Sequence, residues 1–424
     1  MDIRSGNDFL PERGGLMKAL IVGLNYAPEP SGNAPYTTKL SQGLARRGVS
    51  VKVLTGYPHY PEWKIADGYT GLSMEENLAG VPVKRLRSSV PRRPNGLSRL
   101  LMEITFGVRT VFERWDRPDV VLVVSPALFS AAFAIVRARI FRVPVGIWVQ
   151  DLYSKGMEET GDSRSPLASI MKRLEAAIFS SADGVSVIHE RFRDHVVNDL
   201  RVPAHRVRVI RNWTHVQHHH SFDRTAARKR FGWAATDFVA LHAGNMGVKQ
   251  GLENVIDTAR LAGRSGSDVR FVLLGNGNQR RTLESKGVGI DRLQFLEPLP
   301  DRDYSEALRS ADVLLVNERP GVKEMSVPSK LTSYFVTGLP IIAATEAGSA
   351  TAHELLAAGA GIRAECGSPG DLVAAIERLR KDPETAKDFG AAGRQYSDRV
   401  LTEEVAVESY VEWLSDLASR KRLR

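Results

Sequence analysis

The sequence predicts an α/β protein built from two doubly wound, Rossmann-like domains facing a cleft. Three observations lead there. At 424 residues the chain is too long for one compact core, and it suits two domains of about 200 residues. Apolar strand-like runs alternate with amphipathic helical stretches, and this alternation lapses near residue 213 and restarts near residue 238. Gly-containing loops follow several of the strand-like runs, at the position where open parallel sheets bind ligands.

Composition narrows the class. Hydrophobic content of 43% and charged content of 25% are those of an ordinary globular protein. The single cysteine, Cys366, excludes an internal disulfide framework and a multi-cysteine metal site, and suits a reducing cytoplasm. No run approaches the roughly 20 apolar residues of a transmembrane helix. Residues 1–16 lack the apolar core of a signal peptide and read as a disordered extension, with Met17 as the natural start of the fold. Net charge is +9, and residues 84–117 concentrate it, with nine Lys or Arg against three Asp or Glu. Such a patch suits an acidic ligand or an anionic lipid surface. No nucleic-acid motif accompanies it, so nucleic acid is not an expected partner.

The elements follow in order. Lys18 to Leu24 reads as a strand, residues 26–32 (YAPEPSG) as a turn, Ala34 to Arg47 as a helix ended by Gly48, and Val49 to Thr55 as the next strand. This is a βαβ unit whose loop, with Gly32 and Asn33, is not the GxGxxG dinucleotide fingerprint. Residues 57–72 form an aromatic, Pro-containing loop, and Val81 to Arg87 a strand. Over 97–115 the apolar positions Leu97, Leu100, Leu101, Ile104, Val108, Val111, Phe112 and Trp115 keep three- and four-residue spacing. They predict a helix with this stripe on the core, flanked by Met102, Phe106 and arginines; membrane contact is the other reading. Strands at 120–124 and 145–149 enclose a helix at 127–141, and the second strand leads into Gln150 and Asp151. That aspartate reads as a turn or cap residue, or as a polar group at the functional rim. A helix at 168–180, a strand at 184–188, a helix at 190–199 and a strand at 207–210 complete the first half.

Residues 213–226 lose periodicity and read as the linker; their His215, His218, His219 and His220 lack the spacing of a metal site. The domains are therefore 17–212 and 227–400, with a C-terminal helical segment, 401–424.

The second half repeats the pattern: strands at 238–242, 269–274, 293–295, 311–317 and 341–344, with helices at 252–262, 278–286, 304–310, 328–337, 353–358 and 369–381, and a final helix at 408–423. Three segments can seat an anion: 243–251 with Gly244, Asn245, Lys249 and Gln250; 275–277 (Gly275, Asn276, Gly277); and the helix start Pro328, Ser329, Lys330. Lys249 and Lys330 can neutralise phosphate. A nucleotide diphosphate in the second domain follows, with the acceptor in the first. No Walker A motif is present, and the lysines and helix ends can meet a leaving diphosphate without a metal or other cofactor.

The chain resembles the family 4 retaining glycosyltransferases of the GT-B fold over Met17 to about Leu417. The stretches NYAPEPSGNAPYTTKLSQGLARRGVSVKVLTGYPHYP, WVQDLYSKG, AGNMGVKQGLE, GNGNQRRTLE and SVPSKLTSYFVTGLPIIA carry the resemblance. Within the family the likeness is to bacterial enzymes of colanic-acid, capsule and O-antigen assembly, including fucosyl and N-acetylfucosaminyl transferases. The resemblance implies a nucleotide diphosphate-sugar donor held by the second domain and a last helix crossing back to the first. It also implies a glycan acceptor on polyprenyl diphosphate at the inner membrane face. Gly32 and Asn33 match the acceptor-side loop near the donor phosphates, and Asp151 a polar residue near the transferred sugar. Gly275 to Gly277 and Glu297 to Leu299 match loops around base and ribose, and Ser329 with Lys330 the diphosphate segment. Two departures stand out. Asn245 and Gln250 occupy the family's arginine and lysine positions, with Lys249 one residue early. The family's two glutamates, eight apart, are replaced by Met325 and Ser333. Two further classes fit the residues: a nucleotide-sugar 2-epimerase, and a non-catalytic nucleotide-binding partner of an assembly complex.

Overall fold

The computed structural model describes residues 16–30, 32–92, 94–154, 166–214, 222–321 and 329–421. The N-terminal extension up to residue 15, the linker histidines, Met325 and Pro328 lie outside these residues, as does the side chain of Ser329.

Two sheets organise the chain. The first has eight strands: β1 (Lys18–Val22), β2 (Ser50–Gly56), β3 (Ser73–Leu78), β4 (Val81–Leu86), β5 (Val120–Ser125), β6 (Val145–Val149), β7 (Gly184–Val187) and β8 (Val207–Val209), in the order β3-β4-β2-β1-β5-β6-β7-β8. β1 pairs in parallel with β2 and β5, and β2 with β4, while β3 pairs antiparallel with β4. The second sheet has six: β9 (Val239–Ala243), β10 (Arg270–Leu274), β11 (Leu293–Leu296), β12 (Val313–Asn317), β13 (Ile341–Ala344) and β14 (Gly361–Ala364), in the order β11-β10-β9-β12-β13-β14. All its registered pairs are parallel. That is the doubly wound order, with its topological switch point between β9 and β12. By contacts the chain divides into residues 1–148, 178–185 and 409–424 on one side, and 149–177 with 186–408 on the other.

The strands of the second sheet read as continuous apolar runs because both faces are covered. Val239, Leu241 and Ala243 pack with Leu314, Tyr334 and Phe335 on one face. Ala240 packs on the other with Val255, Ile256, Phe271 and Leu273. In the first sheet β1, β5 and β6 are buried almost throughout. The last helix, Glu403–Lys421, packs Trp413 and Leu417 where the strands carry Gly146 and Gly184. A Cβ at Gly146 would stand 2.6 Å from the Trp413 ring, so this close approach requires glycine.

Several elements differ from the sequence reading. The hairpin strand β3, SMEENL, has no counterpart in the sequence reading, because it has no apolar alternation and is largely exposed. β14 has four residues and a partly buried pattern. A helix at Arg224–Phe231 begins within the segment read as linker. The helix read as 328–337 spans Ser329–Phe335. The helix read as 190–199 becomes a π turn over His195–Asp199.

The largest correction concerns helix α2, the name used below for Gly96–Phe112. Its buried positions are Met102, Glu103, Phe106, Gly107 and Thr110. Leu97, Leu101, Val108 and Phe112, expected in the core, are exposed. At 3.6 residues per turn these four share about 60° of arc, opposite the buried face. Gly107 and Thr110 on the packing face let helix α3 (Leu128–Ile140) come close: a Cβ at Gly107 would lie 2.6 Å from the Phe133 ring. Trp115 lies beyond the helix and is buried under the Arg137 guanidinium, 4.5 Å away.

Candidate active site

The carboxyl ends of β9, β10 and β12 bring together most of the residues singled out in the second half. The loop 244–251 after β9 and the segment 275–277 after β10 meet backbone to backbone. Gly244 N donates to Leu274 O at 2.9 Å, and Met246 N to Asn276 O at 2.9 Å. Gly275 has φ +132°, and a Cβ there would stand 2.0 Å from Gly244 O. A Cβ at Gly277 would lie 2.6 Å from Asn245 Oδ1. These two glycines therefore serve the approach of one loop to the other. Gln250 folds back on its own loop, accepting from Gly247 N at 3.1 Å. Lys249 is exposed in a short 3₁₀ turn, Val248–Gln250, and its carbonyl accepts from Arg319 N at 2.9 Å.

Asn317, the last residue of β12, fixes this loop from below. Its Nδ2 donates to Gln250 O at 2.7 Å and Gly251 O at 2.9 Å, while Oδ1 accepts from Asn254 Nδ2 at 2.8 Å. Next to it the buried Glu318 carboxylate accepts from the hydroxyls of Thr345 and Thr351. Burial pushes its pKa up, against those hydrogen bonds and the Lys330 charge.

Lys330 lies in the first turn of Ser329–Phe335, half-buried. Its Nζ is 3.5 Å from His242 Nε2 and its Cε and Nζ stand 3.6 and 3.8 Å from where a Cβ of Gly244 would be. One turn on, the buried Tyr334 hydroxyl accepts from Ala243 N at 2.8 Å, tying this helix to the end of β9. Ser333 and Leu299 are half-buried, and Leu299 packs against the core under β11.

The other expected residues belong to the first sheet. Gly32 (φ +68°) is exposed, and Asn33 precedes helix α1 (Ala34–Arg46) without a side-chain cap bond; its carbonyl accepts from Thr37 N at 2.9 Å. This loop is braced by Glu29, a buried carboxylate that accepts from His59 N at 2.8 Å, Tyr60 N at 2.9 Å and Asn25 Nδ2 at 2.8 Å. Asp151, exposed just past β6, accepts from Leu152 N at 2.8 Å. Behind it, buried Glu175 accepts from Tyr153 N at 2.8 Å and Ser154 N at 3.2 Å, and Ser154 Oγ meets His195 Nε2 at 3.1 Å.

Sequence reasoning missed His242, Asn317, Glu318, Tyr334, Glu29 and Glu175. The one signal was position: His242, Asn317 and Glu318 are polar residues at the C-terminal ends of otherwise apolar strands. Among the described residues no group of three His, Cys, Asp or Glu side chains could hold a metal ion.

Known proteins share this architecture and sequence. The model of the glycosyl transferase 4-like domain matches residues 31–213, and that of the glycosyl transferases group 1 matches residues 223–396. The chain is 29% identical over 411 residues to WcaI of Escherichia coli K12, covering 93% of this chain and 99% of that one; the name provisionally calls WcaI a colanic acid biosynthesis glycosyl transferase. Among solved structures, sucrose-phosphate synthase of Thermosynechococcus elongatus superposes with a TM-score of 0.71 at 17% identity, over 95% of this chain and all of that one. Anabaena HepE, solved with UDP, gives a TM-score of 0.67 at 16% identity, over 94% of this chain and 100% of that one. The two matched domains, lying end to end over nearly the whole chain, and the shared architecture mean that the protein belongs to the family 4 glycosyltransferases of the GT-B fold.

Proposed function

We propose that this glycosyltransferase draws its sugar from a nucleotide diphosphate-sugar seated at the carboxyl ends of β9, β10 and β12. The sugar passes, with retention of configuration, to a glycan acceptor on polyprenyl diphosphate. The observation that carries the donor site is the Lys330 ammonium held against Gly244 at the switch point of the second sheet. Anabaena HepE, of the same fold, has been solved with UDP and with UDP-glucose. The name of WcaI supports a place in cell-envelope polysaccharide assembly.

In the reaction the bond from the sugar C1 to the diphosphate oxygen breaks, and its electron pair stays on the diphosphate. The acceptor oxygen bonds C1 from the same face, and its proton passes to a diphosphate oxygen. Lys330 and Lys249 offset the charge that grows on the leaving group. Gly244, Asn245 and Gln250 shape the loop beside them. Asn276, Gly277, Leu299 and Ser333 serve base and ribose, Asp151 serves the transferred sugar, and Gly32 with Asn33 serves as the acceptor-side loop. The scheme gives no step to a metal.

The acceptor's lipid calls for an enzyme working at a membrane surface. No helix among the described residues is long and apolar enough to cross a membrane. The outward stripe of α2 supports surface docking instead, with Ile140 and Phe141 exposed at the end of α3. Exposed Arg92 just before α2, Arg99 in its first turn, and Arg139 and Arg142 around the end of α3 suit anionic headgroups.

The donor reading is tested with Lys330→Ala. Turnover falls about 10²-fold or more if the ammonium stabilises developing charge. Near-normal turnover in a folded variant overturns it.

A further inference from the structure

His242 is a polar side chain near the C-terminal end of an otherwise apolar β9, fully buried, next to the Lys330 ammonium at the switch point. Its Nδ1 lies 3.2 Å from Leu315 O on β12, and its Nε2 lies 3.5 Å from Lys330 Nζ. The backbone carbonyl of Asn245 also faces the ring. With Nε2 protonated, its contact with the Lys330 ammonium, which can only donate, would set two donors against each other. A hydrogen on Nδ1 gives Leu315 O a donor and turns the Nε2 lone pair toward Lys330. The environment also favours a neutral ring, because burial first, and then the Lys330 charge, hold its pKa well below the ordinary range. Glu318, whose field also reaches Lys330, is engaged by three hydroxyls, those of Thr345, Thr351 and Ser349.

We propose that His242 is a positioning residue for Lys330: its Nε2 accepts one N–H of the ammonium and holds the lysine head over Gly244, facing the donor diphosphate. The imidazole is anchored in turn to β12 through Nδ1–H and Leu315 O. A lysine has four rotatable carbons and loses rotamer freedom when it is fixed; an acceptor built into the sheet removes that cost before the ligand arrives. The inference rests on the donor reading of Lys330 given above.

The test separates the two. The probe is whichever of UDP, GDP, ADP and dTDP raises the melting temperature most. His242→Asn keeps a group at the Nδ1 position and removes the one at Nε2; His242→Gln does the reverse. The inference expects His242→Asn to weaken binding of that diphosphate about tenfold, as the loss of a hydrogen bond to a charged group does. His242→Gln should stay within about threefold, since its amide oxygen still reaches the ammonium. In a Lys330→Ala background His242→Asn should cost nothing more, because a residue acting only through its partner is not additive with it. Equal losses with and without Lys330 overturn the inference and make His242 a purely structural residue. If Lys330→Ala binds the diphosphate normally, or no diphosphate binds, it is the donor reading that falls. Nitrogen NMR of the wild-type imidazole needs no variant to fold: an Nδ1–H tautomer is expected, and an Nε2–H tautomer refutes the inference.

Discussion

Removing the outward stripe of α2 should detach the protein from membranes without unfolding it. Leu97 is 81% exposed and Phe112 85%, so neither supports the core. A Leu or Phe side chain moved fully from water into an apolar phase contributes about 1.5–3 kcal/mol. Changing both to serine therefore forfeits up to about 3–6 kcal/mol, which is up to roughly 10²- to 10⁴-fold in partitioning at about 1.4 kcal/mol per factor of ten. The arginines add about 1 kcal/mol each near an anionic surface, screened by salt. The assay is sedimentation with vesicles containing phosphatidylglycerol, compared with phosphatidylcholine alone, at low and physiological salt. The Leu97→Ser, Phe112→Ser protein should lose binding while keeping its melting temperature. Phe106→Ser, on the buried face of the same helix, should instead destabilise the fold by about 3–5 kcal/mol, as the truncation of a core aromatic does. Wild-type protein that ignores anionic vesicles, or a double variant that binds them undiminished, refutes the docking face.

Two further outcomes follow from the second sheet. Tyr334→Phe leaves Ala243 N without its hydroxyl partner in a fully buried place, and should cost about 1–3 kcal/mol in urea unfolding; an unchanged midpoint contradicts that account. His242 makes stability pH-dependent. Its folded pKa lies below its unfolded value, so the unfolded chain takes up a proton first as pH falls. The stability is fully present above about pH 6.5 and declines as pH drops toward the folded pKa. The gap between the urea midpoints of wild type and His242→Asn should therefore shift against the wild type from about pH 7.5 to about pH 5.5. A gap that stays constant means the imidazole titrates normally.

The alternation of strands and helices, the two-sheet organisation, the Gly-rich ends of β9 and β10, and Lys330 are legible in the amino-acid order alone. All rest on local physics: continuous apolar runs for strands covered on both faces, glycine where φ is positive or backbones approach, and charge near a loop. Tertiary structure decided what depends on a neighbour. Periodicity found the apolar stripe of α2 but not its direction, because that helix is apolar on both sides and the small residues Gly107 and Thr110, meeting α3, select the buried one. β3 shows no pattern of its own and exists because β4 pairs with it. His242, Asn317 and Tyr334 sit in strands or helices whose apolar periods mark them only as interior positions. Their partners, Lys330, the carbonyls of Gln250 and Gly251, and Ala243 N, lie 88, 66 to 67 and 91 residues away along the chain. Hydrogen bonds of that span are set by the order β10-β9-β12-β13, which brings distant strand ends side by side, and no local pattern encodes them.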